Sequence, residues 1–182
     1  MAHENIREIE AGQWKDVVEG AKAAVVDFYS TECPPCEALA SKYESLAALY
    51  GKDVTFVKIF RQGNRELAQE LGVTGSPSVI FYKDGQRVGD FLTGGVRRAD
   101  LQRNLDALLP DERVTEIHAR IQPRETETEV LILGAGPAGL TAAIYLAQAK
   151  VPTIVVDPAL AGGYVGTTHL VSNYPGFDTP LE

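Results

Sequence analysis

Apolar positions along the first two thirds of the chain alternate between two periods. Ala24-Val25-Val26-Asp27-Phe28-Tyr29 is a short, nearly continuous apolar run, which predicts a strand covered on both faces. From Cys36 to Tyr50 the spacing turns helical, with Leu39, Tyr43, Leu46, Ala47 and Tyr50 on one side, and Gly51 ends the helix. Residues 54–60 predict a second strand, and residues 65–71 a short helix stopped by Gly72. Strands follow at 78–82 and 87–92, separated by the turn Lys83-Asp84-Gly85-Gln86. An amphipathic helix over 97–109 closes at Pro110.

The pattern then changes. Residues 111–128 are polar, charged and interrupted by proline, and they predict a linker. Within it Val114, Ile117 and Ile121 could line a short helix that docks on a neighbour. A new apolar rhythm opens with Val130-Leu131-Ile132-Leu133, an alanine-rich helix over 137–148, and Thr153-Ile154-Val155-Val156-Asp157. That is one βαβ unit. The pattern divides the chain into residues 1–110, a linker at 111–128, and residues 129–182, all in the α/β class.

Composition narrows the chemistry. The 182 residues are 45% apolar, ample for a packed core, with a formal net charge of -8. That acidic balance argues against nucleic acid as a partner, and no basic run forms a membrane-surface patch. No apolar stretch approaches the about 18–20 residues of a membrane span, and no apolar signal region follows Met1. The expectation is a soluble, cytoplasmic protein. Its two cysteines stand as Cys33-Pro34-Pro35-Cys36. Structural disulfides are rare in reducing compartments, which points such a close pair toward catalysis or metal binding. Zinc takes about four ligands. His3, His118 and His169 are scattered, so no metal site is expected.

A Cys-x-x-Cys between a buried strand and a helix places Cys33 at the helix N-terminus. Free N–H groups and the helix dipole there stabilise a thiolate. Prolines suit the first helical turn, which needs no donor from them. The stretch 26–36, together with Thr74-Gly75-Ser76-Pro77-Ser78, Lys83-Asp84-Gly85 and Gly94-Gly95, resembles the thioredoxin family over residues of about 6 to 109. The resemblance implies the thioredoxin fold, a central mixed sheet flanked by helices. It makes Cys33 the attacking thiol and Cys36 the resolving one. It matches Asp27 and Lys58 to the family's buried acid–base pair, and Pro77 to its cis-proline. Glu32 stands where the family usually carries tryptophan, and Pro34 where it carries glycine. The residues themselves agree in part. A carboxylate inside an apolar strand is costly unless paired, and burial would make Asp27 a proton acceptor for Cys36. A water-facing strand end for Asp27, and a solvated edge for Lys58, are the alternatives.

Gly134-Ala135-Gly136-Pro137-Ala138-Gly139 follows a strand and opens a helix, and Asp157 ends the next strand. This is the arrangement of a dinucleotide-binding turn, the alternative being a glycine-rich turn in an ordinary α/β unit. Gly134 allows the tight turn, Gly136 lets backbone approach a pyrophosphate, and Gly139 brings helix and strand together. The helix start at Pro137 and Ala138 faces the phosphates, and Asp157 would accept from a ribose hydroxyl. Gly162-Gly163-Tyr164, Thr167-Thr168 and Asn173-Tyr174-Pro175-Gly176-Phe177 resemble the N-terminus of low-molecular-weight thioredoxin reductases. The resemblance implies FAD along the glycine pair and Asn173, with Tyr164 in place of the family's usual glutamine. One βαβ unit leaves strand edges unpaired, so a partial Rossmann-like, flavin-binding segment of a longer fusion is expected, with weak or absent FAD affinity in this chain.

The sequence thus predicts a thiol–disulfide oxidoreductase acting on disulfide-containing client proteins. In the intact fusion the resemblance implies recharging by a reductase domain, in cis or in a homodimer partner, with electrons from NADPH or another donor through FAD. A thioredoxin-like binding module and a peroxiredoxin-reducing arm are the competing readings.

Overall fold

The computed structural model describes residues 5–121, 125–158, 161–163, 165, 170–172 and 179. The chain divides into two compact units, Met1–Pro123 and Arg124–Glu182.

In the first unit β1 (Ile6–Glu8) precedes a helical turn at Ala11–Gln13 and a wider one at Lys15–Glu19. There follow β2 (Ala23–Tyr29), α1 (Pro34–Tyr50), β3 (Thr55–Phe60), α2 (Arg65–Glu70), β4 (Ser78–Lys83), β5 (Gln86–Thr93), α3 (Arg98–Leu108) and α4 (Asp111–His118). The five strands form one sheet in the order β1-β3-β2-β4-β5. β3 runs parallel to both β1 and β2, while β4 is antiparallel to β2 and β5. The mixed sheet with flanking helices is the architecture the sequence predicted. Three segments before residue 24 carried no such prediction: β1 is three residues long, and the turns that follow are too short for a periodicity to show.

Strand residues alternate between two cores, as the pleat requires. Val25, Phe56, Val79 and Phe81 pack beneath Leu39, Tyr43, Leu46 and Tyr50 of α1 and Leu101 and Leu105 of α3. Val26, Phe28, Val57, Ile59 and Ile80 face the other way, against Trp14, Val18, Ala68 and Val73. Trp14 meets Tyr82 edge-on at 5.4 Å. The central strand β2 is buried along nearly its whole length because it has helical cover on both faces.

The expected linker at 111–128 gives way in its first part to α4. Pro110 caps this helix and Ile117 is fully buried in the α1–α3 core. Arg113 holds both oxygens of Asp53, at 2.8 Å each. His118 joins Tyr50 and Asp106 at 3.1 Å. The short docking helix that Val114, Ile117 and Ile121 suggested within the linker is α4, held by one apolar side chain and two polar anchors.

The second unit contains β6 (Val130–Leu133), α5 (Pro137–Gln148) and β7 (Thr153–Val156), with β6 and β7 parallel and in register from Val130↔Thr153 to Leu133↔Val156. Among its described residues only Ala135 is buried.

Candidate functional site

The sheet delivers the two cysteines to the start of α1. β2 ends at Tyr29, three residues bridge the gap, and Cys33 caps the helix with extended backbone angles (φ -125°, ψ 90°). Pro34 and Pro35 occupy the first helical positions, where a missing N–H goes unnoticed. Cys33 and Cys36 are joined as a disulfide with Cα atoms 5.2 Å apart, the span that a Cys-x-x-Cys closes within one turn. The Cys36 N–H points at Cys33 Sγ from 3.2 Å. Such a donor would stabilise negative charge on that sulfur once the bond opens. Both cysteines are largely buried, each keeping 8% of its surface accessible.

A second loop closes on the sulfurs. The Ser76–Pro77 peptide bond is cis, and the Ser76 carbonyl oxygen lies 3.6 Å from Cys33 Sγ. Arg61, just past the end of β3, holds the same loop by donating from Nε to Ser76 Oγ at 3.0 Å. Sequence reading missed Arg61, because nothing in its neighbourhood marks it apart from an ordinary surface cation. Glu32, immediately before Cys33, has a left-handed backbone (φ 51°). That is an uncommon conformation for a residue with a side chain, and glycine would relieve it.

Asp27 lies on β2 at 1% exposure, and its Oδ1 meets no hydrogen-bond donor. Burial pushes its carboxyl up to about 7, although the Lys58 charge works in the opposite direction. Lys58 is its direct neighbour in the β2–β3 register. The two do not form a close ion pair; instead the Lys58 ammonium sits 5.5 Å from the centre of the Tyr29 ring. Tyr29 in turn donates to Glu8 on β1, and burial followed by that carboxylate pushes its hydroxyl up to about 12. Tyr43 of α1 straddles the strand seam, its hydroxyl 2.9 Å from the Val25 and 2.8 Å from the Val57 carbonyl oxygen. Its hydroxyl is held well above the usual tyrosine range by burial and then by Asp27. Of these, only Asp27 and Lys58 were legible beforehand, from a charge interrupting an apolar run; Glu8 and Tyr29 become visible only through the strand register.

In the second unit the glycine turn, Asp157 and the Gly162-Gly163 pair come together. Gly134 has a left-handed backbone (φ 105°), and Gly136 caps α5 with Pro137 and Ala138 opening the helix. A Cβ on Gly139 would lie 1.9 Å from the Gly134 carbonyl oxygen, which no side chain tolerates. Asp157 Oδ2 accepts from the Ala135 N–H at 2.6 Å, so the carboxylate expected at a ribose also braces the turn. The Gly162 N–H donates to the Ala135 carbonyl at 2.7 Å, and a Cβ on Gly163 would stand 3.0 Å from Gly136 Cα. Among the described residues, chain neighbours apart, no atom lies within 4 Å of where a Cβ would sit on Gly134 or Gly136, so among them that side of the turn is open. These features fit the pyrophosphate of a dinucleotide such as FAD. Tyr164 and Asn173 lie outside the described residues.

Among the described residues no group of three or more His, Cys, Asp or Glu side chains is placed to hold a metal ion, and no helix is long and apolar enough to cross a membrane.

Comparison with known proteins divides the chain at the same place. A family model described as thioredoxin matches residues 5–107, and one described as FAD binding domain matches residues 127–161. Thioredoxin-1 of Schizosaccharomyces pombe is 35% identical over 100 residues, which cover 55% of this chain and 94% of that protein. The crystal structure of thioredoxin from Malassezia sympodialis superposes with a TM-score of 0.51 at 30% identity, covering 56% of this chain and 89% of that one. A 34.2 kDa protein in the rubredoxin operon of Clostridium pasteurianum is 50% identical over 54 residues; these make up 30% of this chain but only 18% of that protein.

Proposed function

The chain belongs to the thioredoxin family, and on that premise we propose that it reduces protein disulfides through a Cys33–Cys36 dithiol. The observation that carries the reading is the cysteine pair at the head of α1, with Cys36 N–H aimed at Cys33 Sγ and the Ser76–Pro77 loop closing against it. In the reduced protein the Cys33 thiolate attacks a client disulfide, forming a mixed disulfide and releasing one client thiolate. Cys36 then loses its proton to the Asp27 carboxylate and attacks Cys33 Sγ. The second client thiolate leaves and the Cys33–Cys36 bond forms, so two electrons have passed to the client. A carboxyl poised near 7 suits that proton transfer at neutral pH.

Reduction of insulin disulfides by dithiothreitol-recharged protein tests the reading. The wild-type chain should accelerate precipitation of the insulin B chain, and Cys33→Ser should return it to the uncatalysed rate. Cys36→Ser should instead accumulate a mixed disulfide. Undiminished turnover by Cys33→Ser would remove the proposal.

The second unit extends it. In the intact protein, we infer, the segment from about residue 129 contributes the dinucleotide-facing turn of a fused reductase that recharges the dithiol. The open face over Gly134 and Gly136 and the start of α5 support this, as does the match to an FAD binding domain. FAD, when bound, would relay two electrons from a nicotinamide donor to a dithiol. Gly136 would admit the pyrophosphate to the backbone, while Asp157 holds the turn through Ala135. This chain by itself should bind FAD weakly or not at all; flavin that survives desalting would contradict that.

A further inference from the structure

Three charged side chains lie in one row across the sheet. In the parallel registers, Lys58 of β3 pairs with Glu8 of β1 on one side and Asp27 of β2 on the other. Each stands two residues past an apolar side chain of the α1–α3 core: Ile6 before Glu8, Phe56 before Lys58, Val25 before Asp27. By strand alternation all three therefore project from the face that α1 covers, about 4.8 Å apart from strand to strand. The order is carboxylate, ammonium, carboxylate. Its inner end is buried without a donor on Oδ1, whereas its outer end is exposed and takes the Tyr29 hydroxyl. Lys58 lies toward Tyr29, at 5.5 Å from the ring, and makes no close ion pair with either Asp27 or Glu8.

We propose that Glu8 is a positioning residue of the redox site, which shares the Lys58 ammonium with Asp27 and so keeps the buried carboxyl able to hold a proton. Two electrostatic effects act together. Glu8 and the Tyr29 ring that it fixes give the ammonium a competing seat at the water-exposed end of the row. The Glu8 charge also opposes ionisation of a second carboxylate in the same row. The other titratable groups that feel the Asp27 charge are Tyr29 on β2, which also feels Glu10 beyond β1, and Tyr43 on α1; its β4 neighbour, Val79, is apolar. None of them is a cation that could replace Lys58. The inference deepens the disulfide-reductase reading and rests on it for its functional consequence.

The test follows the Asp27 carboxyl directly, by its carbon-13 shift against pH in the oxidised full chain. In Glu8→Gln the Asp27 midpoint should fall by roughly 0.5–1 pH unit, the size expected of one partly screened charge. Glu8→Asp should restore most of the wild-type value, which a merely structural role would not do. In a Lys58→Met background the effect of Glu8→Gln should shrink to less than half. An unmoved or raised midpoint in Glu8→Gln overturns the proposal, as does an effect undiminished without Lys58. Insulin reduction against pH separates this from the parent reading. If the rate profile moves down with the midpoint, Asp27 is also the proton acceptor. If the midpoint moves and the profile stays, the coupling holds and the acceptor role fails.

Discussion

The two units of this chain use the same ingredients, parallel strands crossed over by a helix, and reach opposite ends in burial. In the first, β2 is walled in by neighbouring strands and by helices above and below, so that Val25, Val26 and Phe28 have no exposed surface. In the second, β6 has one neighbour strand among the described residues, and Leu131 and Leu133 remain 57% and 80% exposed. A strand pattern rich in leucine and isoleucine therefore reports on the environment a segment requires and not on the one it obtains. The difference also separates the kinds of site. Strand order and helix cover build the redox centre, whereas backbone geometry at Gly134 and Gly139 shapes the glycine turn, with Asp157 and Gly162 bracing it at Ala135.

The contrast can be broken most directly by cutting side chains. Ile117→Ala should destabilise the first unit by about 2–5 kcal/mol, as expected for a fully buried isoleucine. Leu133→Ala should change stability by about 0.5 kcal/mol or less. Urea denaturation followed by Trp14 fluorescence reads the first, and hydrogen exchange at Val130–Leu133 reads the second. Equal losses at the two positions would show that the burial difference has no energetic meaning.

Asp27 sharpens the same comparison with an effect nearly as large, since only a packed unit can perturb a carboxyl so strongly. Its folded form holds the proton more tightly than the unfolded chain does, so the folded state binds more protons between about pH 4 and 7. The sign follows. Stability is fully present below the ordinary carboxyl range and is lost as pH rises to about 7, by roughly 2–4 kcal/mol. Asp27→Asn should flatten that slope and be the more stable protein at pH 8. A wild-type stability that rises from pH 5 to 8 in parallel with the variant would refute the assignment.

The effect at the turn is local. Gly139→Ala places a methyl group against the Gly134 carbonyl and should cost roughly 1–3 kcal/mol of local stability, confined to the second unit. Amide exchange should quicken at Ala135 and Gly162, while insulin reduction stays at the wild-type rate. A loss of protection in β2–β4 would show that the two units do not respond separately.

Much was legible in advance where one residue type serves one local need. The helix over residues 137–148 and the strand over 130–133 were read with their true limits, because Pro137 can only open a helix and Gly134 ends the apolar run. Cys33 at a helix head followed from the two prolines and the apolar strand before it. The segment around Ile117 was legible in part, as a short docking helix whose place in the core the sequence left open. Its charges described the outer face of α4, and one isoleucine decided where that helix would lie.

By itself the sequence determined the strand–helix alternation, the cysteine pair at a helix start and the glycine turn. Each depends on backbone rules acting over a few residues. The tertiary structure alone decided that Glu8, Lys58 and Asp27 stand in one row, that Arg61 holds the loop facing Cys33, and that α4 belongs to the first core. Those outcomes depend on register and packing between segments far apart in the chain, where a shift of one residue would turn every side chain to the other face.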